Sequence, residues 1–399
     1  MEINMTSHSA SQPSGRMMPT RHVERGSDAP IPMFNLTRQY AEIAPELEAA
    51  VLSVLSSTDY IGGPMVTEFE NRLGEFCGCH AVAISSGTDA ILAGLMALGI
   101  GKGDAVITTP FTFFATAGCI SRVGARPIFV DINADTFLID EACAARAVTP
   151  VVRCILPVHL FGQMTPMKSL VKFACERGIS VLEDAAQSIG AHDPDGLVPA
   201  ELGAAAALSF YPTKNLGAAG DAGALLTRMD SLAGRVRQTR QHGEVTRYVH
   251  EFVGGNFRLD ALQCAILNVK LRHLERWNRR RAAIADFYDH ALTGTDVKIP
   301  ARLPGARHVF HQYVIRAPRR DELREHLTKN GIGSAVYYPV PLHLQKCFAE
   351  LGYKAGSLPN AEAACREVLA LPIFPELTEH ELYRTADAVR AFFGYPALS

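Results

Sequence analysis

Residues 208–227 read LSFYPTKNLGAAGDAGALLT: an apolar run, one cationic side chain at Lys214, and a glycine-rich stretch that leads into a second apolar run. Residues 205–210 and 223–227 have the length and composition of buried strands, so Lys214 falls in the loop at a strand's carboxyl end. Two roles are open to an amine there. Its stem can be covered while the ammonium stays in water, or partial burial can lower its pKa and leave a neutral nucleophile.

Upstream, from about residue 81, the same kind of short run recurs at 81–85, 105–109, 127–130, 151–157 and 180–183, alternating with helical patterns at 88–98, 115–123, 140–147 and 167–177. This is the signature of βα units building a mostly parallel sheet, hence an α/β fold. In such sheets ligands sit beyond the carboxyl ends of the strands. After Asp230 the pattern turns to helices, one running from near Leu259 through Trp277 towards Leu292. A strand at 312–316 and helices near 320–330, 361–369 and 379–393 complete a smaller C-terminal α+β domain. The reading therefore divides the chain into a disordered tail (1–30), a large domain (31–275) and a small domain (276–399).

Five further signals sit at strand ends. After residue 85, Ser86, Gly87 and Thr88 open a helix whose free amides suit an anion, although Thr88 followed by Asp89 also suits ordinary capping. Asp184 ends an apolar strand, where a carboxylate needs a cationic partner or serves as a turn residue. A protonated pyridine nitrogen is such a partner, and Gln187 is placed to donate to an oxygen of the same ring. Phe113 stacks on a flat ligand or packs in the core. Ser209 reaches a phosphate oxygen or bonds to backbone. His159 is a pocket residue or a satisfied structural histidine. Taken together on one side of one sheet, they describe a pyridoxal phosphate site.

The 399 residues carry a net charge of −2, which excludes a polyanion-binding bias, so no nucleic-acid partner is expected. The nine cysteines are odd in number and scattered, as free thiols of a reducing compartment are, which points to the cytoplasm. Residues 90–101, the longest uncharged apolar stretch, are too short to cross a bilayer. Cys77, Cys79 and His80 lack a distant second cluster, so no metal is expected.

From Ile31 onward the chain resembles the DegT/StrS-type sugar aminotransferase family. The resemblance rests on DYIGGPMVTEFENRL, SSGTDAILAGLMALGIGKGDAVIT, GARPIFVDI, LPVHLFGQM, LEDAAQSIGA, SFYPTKNLGAAGDAGAL, GGNFRLDALQCAILNVKL and YYPVPLHLQ, in the family's order. It implies the aspartate aminotransferase fold (fold type I), pyridoxal 5'-phosphate as cofactor, and a homodimer with active sites at the subunit interface. It makes Lys214 the Schiff-base lysine and Asp184 the partner of the ring nitrogen. Gln187 falls beside the ring hydroxyl, Phe113 against the ring face, and Gly87, Thr88 and Ser209 around the phosphate. Asn256 is implied to reach the phosphate in the neighbouring subunit's site, and Tyr338 and His343 to border the sugar. The implied reaction moves an amino group from glutamate or glutamine to a nucleotide-linked keto sugar, at a 3-keto or 4-keto carbon. The alternatives are a relative acting on a cyclitol ketone or aminobenzoate precursor, and a non-catalytic sugar-binding regulator.

Overall fold

The computed structural model describes residues 29–398. The tail expected over residues 1–30 lies outside them except for its last two residues. Two helices, α1 (Leu36–Ser57) and α2 (Gly63–Cys77), precede the first strand. Then follow β1 (His80–Ile84), α3 (Gly87–Ala97), β2 (Ala105–Thr108), α4 (Ala115–Arg122), β3 (Arg126–Phe129), α5 (Glu141–Arg146), β4 (Val152–Ile155), α6 (Met167–Cys175), β5 (Ser180–Asp184), β6 (Ala205–Ser209), β7 (Gly223–Thr227) and α7 (Asp230–Thr239). A short hairpin, β8 (Glu244–Thr246) and β9 (Val249–His250), leads to α8 (Ala261–Leu271) and α9 (Leu274–Leu292). The C-terminal part holds β10 (Tyr313–Arg316), α10 (Arg320–Lys329), α11 (Pro359–Glu367), β11 (Val368–Leu371) and α12 (Glu379–Phe392).

The first seven strands form one sheet in the order β1-β7-β6-β5-β4-β2-β3. Only β7 runs against its neighbours, pairing antiparallel with both β1 and β6. The carboxyl ends of β1, β2, β4, β5 and β6 therefore share one edge of the sheet. Strand alternation sends Ala81, Ala83, Ala206, Leu208, Ala224 and Leu226 to a core with α2 and α8. Their neighbours Val82, Ile84, Ala205, Ala207 and Leu225 go to an opposite core with α3, α4 and α7. Both faces are covered, which is why these strands read as continuous apolar runs rather than as alternating ones.

Two expectations are corrected. The long helix expected from Leu259 to Leu292 is two helices, interrupted at Arg272 and His273, where the His273 ring turns to stack on Trp277 with centroids 5.6 Å apart. The helix expected over residues 361–369 ends at Glu367. Val368–Leu371 is a strand, fully buried and paired antiparallel with β10. A four-residue apolar run satisfies either period, and the partner strand decides it.

Candidate active site

Asp184 is the last residue of β5. Alternation at this strand end puts Glu183 and Asp184 on opposite faces. Asp184 is 5% exposed; its Oδ2 accepts from the Thr116 hydroxyl at 2.7 Å and its Oδ1 from the Ala186 backbone N–H at 3.2 Å. Thr116 is anchored in turn, since its proton is committed to Asp184 and its oxygen accepts from Thr112 at 3.1 Å. Burial pushes the Asp184 carboxyl up; the two donors and the Lys214 ammonium pull it down. Two neutral donors leave lone pairs on a buried carboxylate unmet, so the site is built for an additional cation.

Lys214 lies in the loop after β6, with its backbone N–H bonded to Tyr211 O at 2.8 Å. The residue is half-buried, but the protein around its amine is dense enough that desolvation lowers it to about 8, against an upward pull from Asp184. Each of these two groups acts on the other, so the loop after β6 and the end of β5 hold them within electrostatic reach of one another.

At the adjacent strand end Ser86 caps α3, its hydroxyl oxygen accepting from Asp89 N at 3.0 Å. That bond satisfies the third amide of the helix. Gly87 and Thr88, at the first two positions, have no acceptor within the helix, and both point to the ligand edge. A Cβ on Gly87 would lie 2.5 Å from the Ser209 Cβ. Only a glycine lets the helix start approach the end of β6 so closely, and the contact sets two free amides beside the Ser209 hydroxyl.

Gln187 has a fixed orientation. Its Oε1 accepts from Phe161 N at 2.6 Å, so its amide hydrogens are turned outward, where Nε2 donates to Tyr338 OH at 3.2 Å. Phe111 and Phe113 both lie against Tyr338, with centroids at 6.1 and 6.5 Å, and Phe113 is 59% exposed at the pocket mouth. Burial raises the Tyr338 phenol, with Asp184 adding to the effect. Gln187 thus touches Tyr338, and Asp184 acts electrostatically on both Tyr338 and Lys214.

Three expected residues stand elsewhere. His159 is fully buried; its Nδ1 accepts from Thr165 N at 3.2 Å, so its proton sits on Nε2 and donates to Glu183 Oε2 at 2.8 Å. Both ring nitrogens are taken, which makes His159 the structural histidine of its two possible roles and corrects its assignment to the substrate pocket. His343 is also buried, with Nε2 3.2 Å from Glu362 Oε1 and Nδ1 without a partner, and it touches none of the pocket residues above among the described residues. Asn256 is exposed, its backbone bridged to Gln241, and the next residue, Phe257, accepts from Ser85 N at 2.9 Å.

The sequence reading missed Thr116, Asn215 and His311. Thr116 sits three residues beyond Phe113, and a threonine in a helical run carries no signal of its own. Asn215 follows Lys214 directly and is buried, bonded to Asn278, Val309 and His311.

The fold has known counterparts. Residues 41–390 match the sequence model of the DegT/DnrJ/EryC1/StrS aminotransferase family. A protein named pleiotropic regulatory protein, from Geobacillus stearothermophilus, is 47% identical over 92% of this chain and 99% of its own. The dTDP-3-amino-3,4,6-trideoxy-alpha-D-glucose transaminase of Streptomyces venezuelae is 41% identical over 90% of this chain and 95% of its own. Among solved structures, S. venezuelae DesV in complex with a ketimine intermediate superposes with a TM-score of 0.90 at 40% identity, covering 92% of this chain and 99% of that one.

Proposed function

Because the chain belongs to the DegT/DnrJ/EryC1/StrS aminotransferase family, we propose that it transfers an amino group from glutamate or glutamine to a nucleotide-linked 3-keto or 4-keto sugar. The observation that carries this reading is a half-buried amine at Lys214 and a buried carboxylate at Asp184, at neighbouring strand ends and each acting on the other. Family membership makes pyridoxal 5'-phosphate the cofactor, and the residues fit it. There are two free amides and a hydroxyl for the phosphate, an outward amide at Gln187 for the ring oxygen, an exposed aromatic at Phe113 for the ring face, and an under-satisfied carboxylate for the ring nitrogen.

Bound there, the cofactor supplies an electron sink for the bond broken at the donor's α-carbon. Lys214 moves the proton. With its amine at about 8, roughly a tenth is neutral at pH 7, against about four parts in ten thousand for an ordinary lysine. Asp184, held by Thr116 and Ala186, keeps its charge aimed at the ring nitrogen. Gly87, Thr88 and Ser209 bind the phosphate and so fix the distance from it to Lys214. Phe113 and Tyr338 cover the mouth against water, and Tyr338 borders the space left for the sugar.

The surface near Asn256 supports pairing of two copies. Tyr248, Val249 and Val253 are 78%, 54% and 89% exposed, and Tyr60 and Ile61 add 42% and 58%. Such apolar exposure is characteristic of a surface that a partner covers. In the paired protein Asn256 reaches the phosphate of the other copy's site. The expected division at residue 275 is kept as a functional one, a cofactor-binding part followed by a smaller domain, although Ile31 packs in the C-terminal core and the boundary falls inside α9. Among the described residues no helix is long and apolar enough to cross a membrane, and a cytoplasmic site of action accords with the free cysteines.

The name of the 47% identical relative describes a regulator; in this chain Lys214 and Asp184 are both in place, and neither is needed to bind a sugar without transforming it. A panel of 3-keto and 4-keto nucleotide sugars, supplied with glutamate or glutamine and followed by mass spectrometry, tests the reading. One class is expected to gain an amine. If none does while Lys214 takes up the cofactor, the substrate assignment is wrong.

A further inference from the structure

A cavity of about 190 Å³ opens on the face of the sheet that packs against α2. Leu208 of β6, Leu226 of β7, Phe76 and Cys77 at the end of α2, and Val198 line its apolar part. A further wall is the segment Ile189–His192, which begins five residues after Asp184. None of the residues given to amino transfer lines it. An apolar cavity of about 150 Å³ already takes up benzene, so the space here is that of one substituted ring.

Two charged side chains also line the cavity, Glu275 and Arg307, joined at 2.6 Å. They are 46% and 35% exposed, which puts them at its rim. Arg307 is fixed there by its backbone, which exchanges both hydrogen bonds with His192, at 3.2 and 3.0 Å. Its side chain makes no hydrogen bond other than the one to Glu275 among the described residues. A guanidinium carries five N–H groups on two edges, so Arg307 can stay paired with Glu275 and still hold a second carboxylate.

The cavity wall and the Lys214 loop are held by the same side chain. Asn278 is 2% exposed and lies one turn beyond Glu275 on α9. Its Nδ2 donates to Ile189 O at 3.1 Å, and its Oδ1 accepts from Asn215 Nδ2 at 2.8 Å. Asn215 follows Lys214 directly and also donates to Val309 O at 2.9 Å. Gly190 has a φ of +81°, and a Cβ there would lie 2.9 Å from Asn278 Nδ2, so a glycine is what lets this wall close on the amide.

We propose that the cavity binds a small aromatic carboxylic acid, ring inside and carboxylate on Arg307, and that its occupant steadies the Lys214 loop through Asn278 and Asn215. The site stands apart from the amino-transfer residues and does not rest on that reading.

The probe is benzoate, titrated calorimetrically into the full-length protein loaded with pyridoxal phosphate. Saturable binding with a Kd of about 1 mM or tighter is expected. Arg307→Met, which keeps the stem and removes the charge, should weaken it about 10-fold, and benzylamine should bind about 10-fold more weakly than benzoate. Val198→Phe fills the space from a half-buried position and should abolish binding. The Lys214 and Ala218 amides are bonded within the loop to Tyr211 O and Phe210 O at 2.8 and 2.7 Å, so their hydrogen exchange reports its opening. Saturating benzoate should slow exchange over residues 213–218 by about threefold or more, and Asn278→Ala should keep the binding but lose this protection. No saturable binding, or binding that neither Arg307→Met nor Val198→Phe weakens, overturns the site; benzoate lodged beside Lys214 gives the second result. Benzylamine binding as tightly as benzoate overturns the carboxylate assignment. Unchanged exchange over 213–218 in saturated native protein overturns the link to Lys214, whether or not Asn278→Ala folds. Protein that takes up no cofactor contradicts the amino-transfer reading instead, and is titrated with benzoate in the same way.

Discussion

The hydroxyl of Thr116, in the first turn of α4, donates to Oδ2 of Asp184 at the end of β5 at 2.7 Å, within a buried pair 68 positions apart in the chain. That bond works against burial, which raises the carboxyl, and so helps to keep Asp184 ionised. Replacing it with valine removes the donor and little volume. In Thr116→Val the Asp184 carboxyl moves up, the negative charge opposite the ring nitrogen weakens, and amino transfer slows by about 10-fold at neutral pH. The acid limb of kcat against pH shifts to higher pH. Superimposable profiles would reduce the bond to a structural one.

The Lys214 amine titrates far below an exposed lysine. Its methylation in cofactor-free protein should be half-maximal near pH 8 rather than near the ordinary 10.5. Asp184 is the group that raises it, so Asp184→Asn lowers the midpoint further and makes the amine more reactive at pH 7. A midpoint that rises in that variant contradicts the pairing.

Gly87→Ala places a methyl 2.5 Å from the Ser209 Cβ. The helix start must retreat from the end of β6, separating the two free amides from the hydroxyl. Affinity for pyridoxal phosphate, measured by equilibrium dialysis, should drop by about 10-fold or more, with a stability cost of about 1–3 kcal/mol in chemical denaturation. Unaltered affinity would show that the phosphate binds elsewhere.

If Asn256 serves the other copy's site, two inactive variants should complement. Lys214→Ala and Asn256→Ala, unfolded and reassociated together in equal amounts, form mixed pairs that hold one intact site. About a quarter of native activity should return, since half the pairs are mixed and each has one of two sites. No recovery would mean that Asn256 acts within its own chain or not at all.

The βα alternation and the strand ends were legible because both faces of the sheet are buried, which makes strands such as β6 and β7 nearly unbroken apolar runs. Asp184 and Lys214 stand out for that reason, as an acid at the end of one apolar run and an amine in the loop just past another. His159 stops a run as well, but sequence does not say which side of the sheet its ring turns to, and it turns to Glu183. Thr116 and His311 were invisible because their partners, Asp184 and Asn215, lie 68 and 96 positions away and only the folded chain joins them. The helix expected over residues 361–369 overruns the start of Val368–Leu371 because four apolar residues carry no period until β10 supplies the ladder.

The most direct test of the central claim is to load the protein with pyridoxal phosphate, reduce it with borohydride and locate the label by peptide mass spectrometry. The account predicts one labelled residue, Lys214, with labelling lost in Lys214→Ala. A label on any other lysine, or none on native protein, would contradict it.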